Sequence, residues 1–236
     1  IVGFIMMLLG RFSFFFWFTL LLLVHEFGHA FVAYLYRWKI TSITIYPFGG
    51  MTRFSEQLNR PIVEEFLILI AGPIAQQLGY FLFSFLGAPS IALIHYALLC
   101  FNLLPIVPLD GSKLVEIILQ LFVPYRSSKY GVFFVSFVMG SILWYVSLFF
   151  HNLLGIVLCS YLTVQIVTYF RNIDRTTLKF LLERYLYSYH FRKKQVINGG
   201  DIRKMYRERS HIFYIDQTYH TEREILRKTF DLSRSL

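Results

Sequence analysis

His25-Glu26-Phe27-Gly28-His29 lies inside an apolar run, Phe12 to Tyr36, that is 25 residues long. At 1.5 Å per residue a helix over that run is roughly 38 Å long, enough to cross a hydrocarbon core of about 30 Å. Arg37 and Lys39 close it. Positions i and i+4 of a helix share a face, so His25 and His29 can grip one Zn²⁺, and Glu26 beside them can take a proton from its water. Two histidines and a glutamate within a span are costly, and such an intramembrane ionisable cluster points to function. The plainer alternative is a pair of core histidines bonded to neighbouring helices.

The rest of the chain supports lipid as its solvent. Of 236 residues, 56% are hydrophobic, 19% aromatic and only 16% charged, and the mean hydropathy is +0.54. Soluble domains carry about 25% charged residues. This composition excludes a disordered chain and argues against a single soluble globule. Residues 171–236 hold 15 Lys/Arg against 8 Asp/Glu, and the first 170 hold 8 against 6. An apolar body with a basic tail fits a cytoplasmic end under the positive-inside rule. Cys100 and Cys159 stand singly in apolar runs, with no metal-type spacing and no disulfide framework.

Outward from the His-Glu helix, Ile1–Gly10 reads as the end of a truncated spanning helix. Ile40 to Tyr46 is β-branched and alternating, and Pro47 and Gly49-Gly50 follow it, with Met51–Phe54 as the returning strand. Such a hairpin is tolerated at membrane depth where it lines a cavity. Further spans are expected at Pro61–Leu86, Ile91–Leu109, Tyr130–Phe150 and Leu153–Phe170, with Ser112–Phe122 as a short amphipathic helix. Lys and Arg cluster in loops 37–60 and 111–129 and in the tail, and are absent from turns 87–90 and 151–152. That alternation puts the three basic segments on the cytoplasmic side.

The expected fold is therefore an α-helical polytopic membrane protein of six transmembrane helices, the first truncated, with a re-entrant β-hairpin and a small C-terminal α/β module. Its expected divisions are a transmembrane domain over 1–170, a linker helix over 171–186 and a cytoplasmic module over 187–236. In the module, Asp201–Arg209 and Thr221–Phe230 are helix-like, His211–Asp216 is strand-like, and Thr221 and Glu224 form a capping-box pattern. Arg192-Lys193-Lys194 reads by default as a solvated linker, with anionic lipid or an acidic substrate as the sharper readings.

A catalytic zinc takes three protein ligands and keeps one position open. The candidate third ligand is Asp110, the only Asp in residues 1–170, which ends the run Asn102-Leu-Leu-Pro-Ile-Val-Pro-Leu-Asp-Gly111. Pro105 and Pro108 kink that run and let the carboxylate turn towards a neighbouring helix. An ordinary Asp-Gly turn is the plainer reading.

These residues resemble the site-2 protease family of intramembrane zinc metalloproteases. Its two defining motifs are matched by His25–His29 and Asn102–Gly111. The chain is similar above all to the family's sporulation branch, through His25–Ala30, Tyr46–Gly50, Asn59–Pro61, Ala71–Pro73, Asn102–Gly111 and Phe180–Tyr185. The resemblance implies zinc held by His25, His29 and Asp110. It makes Glu26 the general base and later the proton donor to the leaving amine. Asn102 would place the substrate or its oxyanion, and Pro105 and Pro108 would shape the Asp110 loop. Many members carry Asn after Ala-Gly-Pro where this chain has Gln76-Gln77. The branch also ends in a cystathionine-β-synthase-like (CBS) module that responds to adenine nucleotide, which makes 187–236 a minimal module of that kind and ATP its ligand.

The implied function is an intramembrane zinc endopeptidase cutting a membrane-associated regulatory protein. In the sporulation branch that substrate is the precursor of a mother-cell sigma factor, cut in the mother-cell membrane around the forespore. Inhibitory membrane proteins are the implied partners, and a homo-oligomer stays open. A helical substrate must become extended before its carbonyl can be attacked, and the strand bearing Ile43 and Ile45 offers an edge to which it can add. The alternative function is a metal-ion transporter, since intramembrane His and Asp also line ion paths. His95 reads as a packing histidine. No nucleic-acid-binding motif accompanies the basic tail.

Overall fold

A computed structural model describes residues 12–38, 40–46, 49–54, 58–85 and 91–232; the truncated span expected at Ile1–Gly10 and the turn at 87–90 lie outside the described residues. Helices α1 (Phe12–Leu35) and α2 (Ile62–Phe85) are apolar and 24 residues each. Glu64 and Glu65 occupy the first turn of α2, where the helix dipole favours negative charge. Between them β1 (Ile40–Tyr46) and β2 (Gly49–Phe54) pair antiparallel, with Ile43 opposite Thr52 and Ile45 opposite Gly50. Then come α3 (Ile91–Asn102), α4 (Asp110–Phe122), α5 (Tyr125–Phe149) and α6 (Leu153–Leu186).

Among the described residues four helices are long and apolar enough to cross a membrane: Ser13–Leu35, Ile62–Phe85, Tyr125–Phe149 and Leu153–Leu186. Their large side chains face outward, as Phe85 (90% exposed) and Leu153 (73%) do. Only lipid or another apolar partner covers such a surface.

The span expected over Ile91–Leu109 is shorter than that. Helix α3 stops at Asn102 after 12 residues, about 18 Å. Pro105 has no N–H for the Phe101 carbonyl and disfavours helical backbone at Leu104. The Leu104 N–H closes on that carbonyl instead (3.1 Å). Of the six expected spans one lies outside the described residues, and the other five appear as four spans and one short apolar helix.

The chain folds as two compact units, one of Ile1–Glu56, Val63–Leu104 and Leu109–Lys113, the other of Gln57–Ile62, Pro105–Pro108 and Leu114–Leu236. In the first, Leu21 and Leu22 of α1 pack with Ile91, Ile94 and Leu98 of α3. In the second, Phe180 and Leu181 of α6 pack with Tyr125, Met205, Phe213 and Leu226, and the Tyr125 ring stacks on Phe180 at 4.2 Å.

Helix α6 runs 34 residues, about 51 Å, unbroken through the divisions expected at 170 and 171–186. Its last turns bury Thr177, Phe180, Leu181 and Arg184. Beyond it β3 (Lys193–Asn198) pairs parallel to β4 (Arg209–Ile215), which pairs antiparallel to β5 (Thr218–Thr221), and α7 (Glu222–Leu232) follows. The capping box forms: Thr221 N–H donates to Glu224 Oε2 (3.1 Å) and Glu224 N–H to Thr221 Oγ1 (3.4 Å). Asp201–Arg209 does not become a helix. A single 3₁₀ turn over Ile202–Lys204 is capped by Asp201, and the chain then extends. Met205 and Arg207, two apart, both turn inward, which extended backbone permits and a helix does not.

Candidate metal centre

Helix α1 buries His25, Glu26 and His29, and α4 begins with Asp110. All four lie in the first unit. The Nε2 atoms of His25 and His29 and the Oδ2 atom of Asp110 form a triangle whose three edges are each 3.0 Å. Among the described residues this is the one group of three or more His, Cys, Asp or Glu side chains placed to hold a metal ion.

The proton count at the triangle decides what fits there. His25 Nδ1 donates to Gln76 Oε1 (2.9 Å) and His29 Nδ1 donates to the Ile68 carbonyl (2.7 Å). A carbonyl oxygen only accepts, so Nδ1 carries a proton in both rings, and in the neutral imidazoles that ligate metals both Nε2 atoms present lone pairs. Two lone pairs and a carboxylate oxygen therefore converge with no proton between them, an arrangement that a cation relieves. Zinc bonds of about 2.0 Å at tetrahedral angles set ligand atoms roughly 3.3 Å apart, close to the observed edges. Two imidazoles and one carboxylate also match a catalytic zinc's three protein ligands.

The supporting residues explain the local sequence. Gln76 is fully buried, and its amide nitrogen donates to the His95 carbonyl (3.0 Å) and lies 3.2 Å from His95 Nδ1. His95 Nε2 in turn donates to Gln77 Oε1 (3.1 Å), and the ring stacks on Tyr80 at 4.4 Å. The chain Gln77, His95, Gln76, His25 has one consistent donor direction and fixes the tautomer of the first ligand. His95 is a packing histidine, as expected, and it also orients a ligand at one remove. By sequence alone Gln76-Gln77 stands only as a departure from the family pattern. The signal that points to them is a polar pair inside an apolar span.

A Cβ on Gly72 would stand 2.3 Å from His29 Nε2, so Ala71-Gly72-Pro73 owes its glycine to ring clearance. A Cβ on Gly111 would stand 2.1 Å from the Leu103 carbonyl oxygen, where the chain returns into α4. The Leu109 carbonyl accepts from Ser112 N–H (3.0 Å) and Oγ (2.7 Å), closing the turn that presents Asp110. Lys113 Nζ lies 3.5 Å from Asp110 Oδ1, the oxygen outside the triangle.

The remaining sequence candidates stand outside the triangle. Asn102 is the buried last residue of α3, and among the described residues its side chain makes no hydrogen bond to the three converging atoms. Pro105 and Pro108 sit in the 103–109 connection, where Ser136 Oγ accepts the Val107 N–H (3.2 Å) and donates to the Pro105 carbonyl (3.3 Å). Ile43 and Ile45 lie in β1.

Residues 13–89 match the model of peptidase family M50, a stretch that holds His25–His29 and Ala71–Pro73. Stage IV sporulation protein FB of Bacillus subtilis (strain 168) is 31% identical over 182 residues, 70% of this chain and 62% of that protein. A zinc metalloprotease of Methanocaldococcus jannaschii is 31% identical over 134 residues, 49% of this chain and 37% of that one. The chain thus spans less than two thirds of the length of both curated relatives. The solved site-2 protease from Methanocaldococcus jannaschii shares the fold with a TM-score of 0.57 at 22% identity, over 67% of this chain and 77% of that one. Sequence and fold point the same way: the chain belongs to peptidase family M50, that of the site-2 proteases.

Proposed function

We propose that this integral membrane protein is a zinc endopeptidase that cuts a membrane-associated regulatory protein within or near the bilayer. The observation that carries the reading is the convergence of two imidazole lone pairs and one carboxylate beside Glu26. His25 Nε2, His29 Nε2 and Asp110 Oδ2 would hold the ion. Bound zinc supplies a water of pKa near 7 and polarises a carbonyl. Glu26, adjacent to the first ligand, takes the water's proton and later delivers it to the leaving amine. Gln76 and Ile68 keep both rings in the ligating tautomer.

The two-stranded hairpin supports an extended substrate, added along the β1 edge at Ile43 and Ile45. Asn102 contributes substrate placement. Likeness to a sporulation protein supports a sigma-factor precursor as substrate, with inhibitory membrane partners, in the mother-cell membrane. The basic loops and tail support a cytoplasmic site and C-terminus. In this reading the parallel β3–β4 pair with α7 is a minimal CBS-like module. The likeness to zinc metalloproteases gives no support to ATP as its ligand.

The test is co-reconstitution with membrane-tethered candidate substrates, wild type against Glu26→Gln. The substitution should slow cleavage by about 10² to 10⁴ and leave zinc bound. Cleavage that persists in Glu26→Gln ends the protease reading. Zinc flux into liposomes that survives the same change, without cleavage, replaces it with transport. Ile43→Pro should cut turnover with zinc retained; unchanged turnover removes the strand-addition step alone.

A further inference from the structure

The second unit contains a cavity of about 570 Å³ that the metal centre does not use. Ligand pockets typically measure about 300–1,000 Å³. Five cations line it, Arg60, Arg192, Lys193, Arg207 and Arg209, against the single carboxylate of Glu208. That carboxylate accepts the Ile62 N–H at 2.6 Å and so serves the first turn of α2.

The strand register sharpens the imbalance. Lys193 of β3 lies directly opposite Arg209 of β4 in the parallel pair, and both line the cavity. Like charges in register on neighbouring strands repel. Arg209 donates to Gln195 Oε1 and the Leu121 carbonyl, both at 3.0 Å and both neutral, and lies over the Tyr206 ring. Arg192 and Lys193 are exposed and, among the described residues, in no ion pair. An anion in the cavity would relieve a repulsion that these contacts leave in place.

The cavity's setting selects the anion. Pro61 and Ile62 in its wall begin the α2 span, and Leu121 lies in the last turn of α4. Leu121 in its wall and Phe122, next in the chain, are exposed apolar groups. Cations below helix ends, rimmed by exposed apolar and aromatic side chains, mark the level of lipid headgroups. We propose that this cavity binds the phosphate headgroup of an anionic phospholipid, with its acyl chains along the apolar rim. This holds whether or not the chain is a protease.

The test uses the full chain in detergent micelles, with lipid retention read by native mass spectrometry and unfolding midpoints read alongside. The lipids are phosphatidylglycerol and phosphatidylcholine, and the soluble probes are inorganic phosphate and ATP. Phosphatidylglycerol should be retained and raise the midpoint, and phosphatidylcholine should do neither. Arg192→Gln with Lys193→Gln should weaken phosphatidylglycerol retention on the order of tenfold. Arg223→Gln with Lys228→Gln, which removes equal charge on α7 outside the cavity, should leave it intact. Equal loss in both double variants, or none in either, overturns the site. Saturation by inorganic phosphate or ATP without lipid preference overturns the phospholipid assignment.

Discussion

His25, His29 and Asp110 in the first unit and His211, Glu222 and Arg184 in the second are both buried clusters of imidazole and carboxylate, and they settle their charge in opposite ways. In the second, the protein supplies the cation. Arg184 Nη1 donates to Glu222 Oε1 (3.0 Å), Nε to Asn59 Oδ1 (2.8 Å) and Nη2 to the Tyr206 carbonyl (2.8 Å). His211 Nδ1 donates to Glu222 Oε2 and His211 Nε2 accepts the Tyr206 N–H, both at 2.9 Å. Every donor there meets an acceptor. In the first cluster, with both imidazoles neutral, three acceptors face one another and the cation comes from outside. Residue types do not separate a metal centre from a structural knot; the balance of protons and lone pairs does.

The comparison breaks if the first cluster does not need its ion. Asp110→Asn and His25→Ala should each lower bound zinc below one per molecule and reduce cleavage at least 10³-fold, read by metal analysis and substrate turnover. Full zinc occupancy in either would mean that the triangle is an ordinary hydrogen-bonded group.

The second cluster predicts the converse. Arg184→Met leaves the half-buried Glu222 beside His211 without its cation, which should cost about 3 kcal/mol, the low end for a broken buried pair. Amide hydrogen exchange should quicken across 193–215 while zinc per molecule stays unchanged. Slowed exchange, or lost zinc with the sheet intact, would reverse the assignment of the two clusters.

Gln76→Leu sharpens the comparison, because it touches the first cluster without removing a ligand. It frees His25 to change tautomer and should weaken zinc by about 10- to 100-fold, measured by chelator competition. A variant that holds zinc as tightly as wild type would remove Gln76 from the site.

The ligands of the first cluster were legible because their signals are local or rare: an i, i+4 histidine pair on one helix, and the sole Asp in 170 residues behind two prolines. Gln76 was not, because its role depends on which neighbouring helix it meets. The break in the Ile91–Leu109 run is legible from Pro105 and Pro108, and α3 stops earlier, at Asn102, since Pro105 acts four residues back along the chain. The α6 continuity was hidden by a change of composition near 170, which alters the solvent around a helix and not its backbone bonds. Strand β3 has little alternation of its own and exists through a nonlocal parallel partner. The second cluster gathers side chains from α6, β4 and α7, a grouping that no sequence spacing announces.

The smallest expected effect is on pH. Burial holds the His211 imidazole below its ordinary 6.5; the bond to Glu222 opposes this without overcoming it, and Arg184 and Arg209 add repulsion against a second proton. Burial alone would raise Glu222 above its ordinary 4.5, but the bond from His211 and the Arg184 charge bring it below. Both groups thus favour the deprotonated form when folded, so the unfolded chain binds more protons. Their stabilisation is complete above pH 6.5, declines as His211's unfolded form protonates below that value, and declines again below 4.5. The slope from His211 can reach at most about 1.4 kcal/mol per pH unit. Exchange protection of the β4 amides should therefore fall between pH 7.5 and 5.5, and His211→Gln should flatten that stretch. Protection that rises on acidification would mean that the imidazole is charged in the folded state, and the second cluster would then hold two cations against one carboxylate.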